Sequence, residues 1–329
     1  MGSPDGWSGR QAEPVPRWRA LLGRGRTRPD EAPTVDRLPG DIIPVPRQPS
    51  PWTGPGVDEP ARDLSRHPAL PMLKRELGRP RVIAFVNPKG GVHKTTATVL
   101  TAAALGSARG GGVIAWDDNE LRGTLGLRAG TARHARTIRH LVNDLARVEA
   151  SGSDLAEQTD DYLRHSSDGS FDVLAGDEDP KLARQLDPTT VLRVLDILTR
   201  THDIICIDTG NNVESPNWKT VVSHADQLVV TSVPREDAAF TADWMLDLLL
   251  ADGYTDLVKN AVTVLSCPTP HPGELLEDLK GHFKSRTRDV AVVPYDPTLE
   301  PGAAIKYSLL RESTRDAWLT AAAQIIEAF

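Results

Sequence analysis

Residues 82–105 read VIAFVNPKGGVHKTTATVLTAAAL, and this stretch decides the fold. An apolar run of β-forming residues meets a short turn with two glycines and two lysines, and a segment of helical Ala and Leu content follows. The implied order is strand, phosphate-binding loop, helix. A triphosphate needs several hydrogen-bond donors at close range, and only backbone N–H groups without crowding side chains converge that tightly, which Gly90 and Gly91 allow. Lys94 opens the helix, where its ammonium reaches the outer phosphates beside the unpaired N–H groups and the positive end of the helix dipole. Thr95 then offers a hydroxyl to Mg²⁺.

Against the general pattern G-x-x-x-x-G-K-[ST] the loop departs twice, with Pro88 in place of the first glycine and His93 in place of the last. Lys89-Gly90-Gly91-Val92-His93-Lys94-Thr95-Thr96 instead resembles the deviant loop K-G-G-x-G-K-[ST]-[ST] of the ParA/MinD family of ATPases at every position except His93. The resemblance implies a bound ATP with Mg²⁺ and a nucleotide-sandwich homodimer in which Lys89 reaches the partner's nucleotide. If the position of His93 needs a positive φ, His is among the few non-glycine residues tolerated there.

Two further strand ends extend the resemblance. The strand at Val113–Trp116 runs into Asp117-Asp118-Asn119-Glu120, and carboxylates at the carboxyl end of a strand beside the loop face the place where open α/β sheets bind ligands. ParA-like proteins carry D-x-D-P-Q here, the second Asp placing the attacking water. Asp117 matches the first Asp and Asn119 the second, so an amide that orients water but is a poor proton acceptor stands there, with Asp118 or Glu120 as substitutes. The third anchor is HDIICIDTGNN, residues 202–212, an apolar strand ending in Asp208. A buried strand holds such a carboxylate rigidly near a Mg²⁺-bound water, and the resemblance is to the family's I-I-I-D-[TC]-P-P, with Gly210-Asn211 replacing the two prolines.

Composition divides the 329 residues: the first 80 hold 15 of the 26 prolines and 13 Lys and Arg against 10 Asp and Glu, whereas the remainder is acidic. The reading is a disordered Pro/Arg-rich tail and linker over 1–79 and one ATPase domain over 80–329. An acidic domain does not signal a large nonspecific nucleic-acid surface. Cys206 and Cys267 sit in apolar runs without metal-ligand spacing, the N-terminus lacks the apolar core of a signal peptide, and no run approaches about 18 apolar residues; a cytoplasmic protein is expected. In the tail, residues 15–28 gather five arginines around Trp18, Leu21 and Leu22, leaving open a contact with anionic lipid, a contact with protein or DNA, or a solvated charge run.

Beyond the third anchor, strands at 227–232, 261–266 and 290–293 alternate with helices at 236–251, 274–284 and 312–329, after a largely helical 131–165, a strand at 171–174 and a helix at 188–201. This pattern predicts an α/β fold with a doubly wound, mostly parallel sheet flanked by helices. Phe240, Trp244, Met245 and Leu248 are expected in the core, as are Trp318, Ala321, Ala322, Ile325 and Phe329. Residues 317–329 carry no Lys or Arg, unlike the basic membrane-binding helix of MinD-like members, so the ParA-like branch is favoured. By that resemblance Pro294 lies at the adenine, and Lys280, Lys284, Arg286, Arg288, Lys306, Arg311 and Arg315 are candidates for nonspecific DNA contact or a solvated face. The function implied is a slow, partner-stimulated ATPase switch in DNA or plasmid partitioning or cargo positioning, with a ParB-like or cargo adaptor. A nucleotide-binding scaffold with little hydrolysis is the alternative, since His93, Asn119 and Gly210-Asn211 depart together.

Overall fold

The computed structural model describes residues 66–119, 123–130, 136–168, 170–177 and 186–329. The Arg-rich segment at 15–28, Glu120 and the start of the helical region at 131–135 lie outside the described residues.

The elements follow in the order α1 (Leu70–Leu73), β1 (Arg81–Val86), α2 (Lys94–Arg109), β2 (Val113–Asp118), α3 (Leu125–Arg128), α4 (Ile138–Asn143), α5 (Leu145–Glu149), α6 (Leu155–Asp160), β3 (Arg164–His165), β4 (Asp172–Leu174), α7 (Pro188–Thr201), β5 (Ile204–Thr209), α8 (Pro216–His224), β6 (Gln227–Ser232), α9 (Glu236–Ala251), α10 (Thr255–Asn260), β7 (Val262–Ser266), α11 (Leu275–Lys284), β8 (Asp289–Val293) and α12 (Glu312–Ile326). The strands form one sheet in the order β3-β4-β2-β5-β1-β6-β7-β8, parallel throughout except for the β3–β4 pair. The doubly wound, mostly parallel architecture expected from the alternation is therefore present.

Near-continuous apolar runs suit strands covered on both faces. Ile83 and Phe85, Val113 and Ala115, and Ile204 and Cys206 point into one apolar layer, where they meet Leu100, Ala104 and Leu105 of α2 and Trp318, Ala322 and Ile325 of α12. Their neighbours Ala84 and Val86, Ile114 and Trp116, and Ile205 and Ile207 point into the other, against Val194 and Leu198 of α7, Trp218 of α8 and Met245 of α9. The switch of helices from one face to the other occurs around β1, the arrangement that leaves a crevice at the carboxyl ends of the central strands.

Local signals set the helix ends. Asp187 accepts from Thr190 N–H at 2.7 Å with Pro188 in the first turn of α7, and Ser215 caps α8 above Pro216. Gly110, at φ 79°, closes α2 in the left-handed conformation that a side chain would resist.

Two expectations are corrected. Residues 66–79, assigned to the tail by proline content, form α1 and a turn; Leu73 and Leu77 are buried, and Arg75 donates to the carbonyls of Ile326 at 2.9 Å and Phe329 at 2.8 Å. Phe240 and Trp244 are 37% and 42% exposed, although Met245 is fully buried. Apolar residues surround α9 on nearly all sides, so periodicity does not choose its face; small Ala238, Ala239 and Ala242 let the helix approach the sheet instead. The short helices α8 and α10 and the strand β3 are too brief for a periodic signal.

Candidate functional site

The crevice is built first by the backbone of residues 87–94. Asn87, at the end of β1, is 1% exposed and had no role in the sequence pattern. Its amide donates to Thr231 O at 2.7 Å, its side-chain oxygen accepts from Lys89 N–H at 2.9 Å, and its carbonyl accepts from Lys94 Nζ at 3.2 Å. A polar residue closing an apolar strand was the signal available for it.

The loop then turns twice through the left-handed region, at Gly91 (φ 76°) and at His93 (φ 62°, ψ 26°). His93 is the one non-glycine residue at positive φ among the described residues. Burial and the neighbouring Arg128 charge hold its imidazole below the usual histidine pKa, toward the neutral form. Val92 anchors the loop in a small apolar cluster with Val233 and Ala238, and Gly90 lies against Asn211, whose amide nitrogen would be 3.8 Å from an added Cβ.

Lys94 is 9% exposed, and its Nζ donates to Asn211 Oδ1 at 2.5 Å as well as to Asn87 O. Burial lowers its pKa, opposed by the charges of Asp208 and Asp117. Thr95 Oγ1 donates to Asp208 Oδ2 at 2.5 Å, while Asp208 Oδ1 is buried without a hydrogen-bond partner. Parallel register sets Asp117 opposite Asp208, so both carboxylates face α2. Burial raises the pKa of each, and for Asp117 the charge of Asp208 adds to the rise.

The three residues at the β2 end do not converge. Asp117 Oδ1 accepts from Asn119 N–H at 3.2 Å and Oδ2 from Leu125 N–H at 3.1 Å, so its carboxylate shapes the loop that follows. Gly123 permits this, because a Cβ there would stand 2.0 Å from Asp117 Oδ2. Asp118, 3% exposed, pairs with Thr209 in the register, and strand alternation turns it to the opposite face from Asp117 and Asp208. Asn119 follows the strand directly and is half-buried.

Lys89 Nζ lies 3.2 Å from Asp237 Oδ2 of α9, and both side chains are about half exposed. Thr96, in the first turn of α2, is buried and accepts from Arg128 at 3.1 Å. Pro294 follows β8 at the sheet edge and is half-buried; the segment it begins is braced by Asp296, which accepts from Thr298 N–H at 3.0 Å and Arg311 N–H at 2.8 Å. That segment returns to the site at Ile305, whose N–H donates to Arg128 O at 2.7 Å. Of the seven candidate DNA-contacting bases, Lys280 pairs with Glu277, Arg286 with Asp243 and Asp247, and Arg288 with Glu327.

No protein-family model matches the chain. EspI, an ESX-1 secretion-associated protein of Mycobacterium tuberculosis, is 28% identical over 233 residues; the match takes in 69% of this chain but only 34% of that protein. The chain thus spans about a third of its relative's length. Among solved structures, the cell division ATPase MinD of Pyrococcus furiosus superposes with a TM-score of 0.57 at 20% identity, over 75% of this chain and 98% of that one. A ParA family ATPase from Chlorobium tepidum gives 0.56 at 20% identity over 76% and 96%, and MinD from Pyrococcus horikoshii complexed with Mg-ADP gives 0.55 at 22% identity over 74% and 94%. The chain therefore has the fold of the MinD and ParA ATPases.

Proposed function

We propose that the chain is a nucleotide-dependent switch that binds Mg-ATP at the loop 89–96, dimerises around the nucleotide and hydrolyses it slowly. One observation carries this reading: at the mouth of a loop whose backbone is already turned through Gly91 and His93, Thr95 Oγ1 donates to Asp208, while the adjacent Lys94 ammonium, held by Asn87 and Asn211, feels the charge of the same Asp208. Lys94 would exchange Asn211 and Asn87 for phosphate oxygens. Thr95 Oγ1 and the unpartnered Asp208 Oδ1 are oxygens that suit a hard divalent cation, and Mg²⁺ commonly takes only one or two protein oxygens beside phosphates and water. The bound cation would neutralise charge developing on the phosphates. Gly90, Gly91, Val92 and His93 donate backbone N–H groups, Lys89 leaves Asp237 to reach a partner's nucleotide, and Asn119 orients water. An Asn there accepts a proton poorly, which accounts for slow turnover.

The MinD of Pyrococcus horikoshii, complexed with Mg-ADP, supports the ligand assignment, and the identity with a secretion-associated protein favours a secretion assembly as cargo. DNA partitioning draws less support, because Lys280, Arg286 and Arg288 are engaged by acids. Phosphate release by the full chain with ATP and Mg²⁺, set against Lys94→Ala, tests the enzyme reading; equal rates would refute it. If wild type binds ATP tightly with no release above that control, the chain is a nucleotide-gated scaffold, a reading favoured by Asn119. Size measurements with and without ATP test the dimer, which Lys89→Ala should abolish.

A further inference from the structure

Arg128, the last residue of α3, is 8% exposed and belongs to none of the three motifs. Its guanidinium bridges two walls of the crevice: one Nη donates to Thr96 Oγ1 at 3.1 Å and the other to the Ala303 carbonyl at 2.7 Å. Its own carbonyl accepts from Ile305 N–H at 2.7 Å, so the residue ties the segment after β8 to the first turn of α2. Both guanidinium partners are neutral oxygens. Among the described residues no Asp or Glu pairs with Arg128, whereas Lys94 lies near Asp208 and Asp117 and Lys89 pairs with Asp237. A guanidinium cannot discard its proton as a lysine or histidine does, and burying it beside neutral groups alone is unfavourable. An anion in the crevice would relieve that cost.

The position says which part of an anion. Lys94, Asn211 and Asp208 mark the outer-phosphate end of the loop, and Arg128 sits on Thr96, toward the segment 294–305. A nucleotide lying along the crevice with its terminal phosphates on Lys94 would bring its innermost phosphate to Thr96. We infer that Arg128 is a nucleotide-binding residue that supplies the counter-charge for the innermost phosphate of a nucleoside di- or triphosphate, and through Ala303 sets the position of the segment 294–305 over it. The assignment rests on the nucleotide reading above and adds to it a cation that the loop motif does not contain.

Arg128→Met, Arg128→Lys and wild type, each as the full chain, are titrated with ATP and with ADP in the presence of Mg²⁺ and melted without nucleotide. ATP and ADP share the innermost phosphate, so Arg128→Met should weaken both by about tenfold or more and by the same factor, the size expected for one charge-assisted hydrogen bond. Arg128→Lys should recover part of the loss. Without nucleotide, Arg128→Met should melt at or above the wild-type temperature, because an unpaired buried charge has been removed. Unchanged affinity in Arg128→Met overturns the assignment, and so does a lower nucleotide-free melting temperature or failure to fold, which would make the residue structural. A wild-type chain that binds neither nucleotide overturns the nucleotide reading and this assignment together, a result distinct from either of those.

Discussion

Replacing His93 by glycine separates what the loop backbone does from what the imidazole does. His93 sits at φ 62°, ψ 26°, where a non-glycine residue loses about 1 kcal/mol or more to the clash of Cβ with the following carbonyl. Glycine relieves that strain but gives the unfolded chain more freedom, which costs about 0.5–1 kcal/mol. The two nearly cancel, so the nucleotide-free melting temperature of His93→Gly should stay within about 2–4 °C of wild type, the shift that 1 kcal/mol makes in a domain of this size. His93→Val should melt lower, since a β-branched side chain tolerates positive φ worst. If the phosphates are held by N–H groups, the ATP affinity of His93→Gly should fall by no more than about threefold, under 1 kcal/mol. Burial and Arg128 hold the imidazole pKa down, so the folded state binds this proton more weakly than the unfolded chain. Its contribution to stability is therefore present above the ordinary value near 6.5 and erodes as the pH falls below it. Calorimetric titration with ATP and melts at several pH values make the comparison. A more than tenfold loss of affinity at unchanged melting temperature would refute the reasoning and show that the side chain itself holds the phosphate.

Other perturbations test the scaffold and its charges. Gly106→Ala should gain about 1 kcal/mol of helix propensity, yet its Cβ would stand 2.1 Å from the Ser170 carbonyl, so a net loss of about 2 kcal/mol is expected by urea denaturation, and an unchanged midpoint would show that this backbone yields. Asp208→Asn removes one of two carboxylates raised by burial; such groups favour the folded state below the ordinary carboxylate value near 4 and lose that contribution as pH rises. The nucleotide-free variant should accordingly melt higher than wild type at pH 7.5, with a flatter profile from about pH 4 to 7, and should lose the Mg²⁺ dependence of ATP binding; a profile parallel to wild type would contradict this. Burial alone would raise Asp172, but hydrogen bonds to His165 and His202 outweigh it and hold the carboxyl at about 2. Asp172→Asn should cost about 2 kcal/mol at neutral pH, a difference present above about pH 4 and fading as pH falls toward 2; a pH-independent difference would rule out the ion pairing as its source.

The sheet was legible because parallel strands buried on both faces leave long apolar runs, and each of β1, β2 and β5 stops at a polar residue where the crevice begins. The loop was legible for a similar reason: glycines and lysines at fixed spacing are a local signature. What α9 does with Phe240 and Trp244 was not, because a helix apolar on several sides offers no periodic choice of face, and only the sheet beneath it selects one. The same holds for residues 66–79, whose prolines suggested a linker although Leu73 and Leu77 find a core to enter.

Sequence by itself determined the α/β class, the order of the elements and the phosphate loop, because these depend on contacts and preferences within a few residues of one another. Tertiary structure decided which side chains share the crevice. Strand register set Asp117 beside Asp208 and turned Asp118 away, and the fold carried Asn211 to Lys94 across 117 positions of chain and Ala303 to Arg128 across 175. No local pattern encodes those meetings, since they exist only once the sheet order and the segment after β8 have brought distant residues to the carboxyl ends of the central strands.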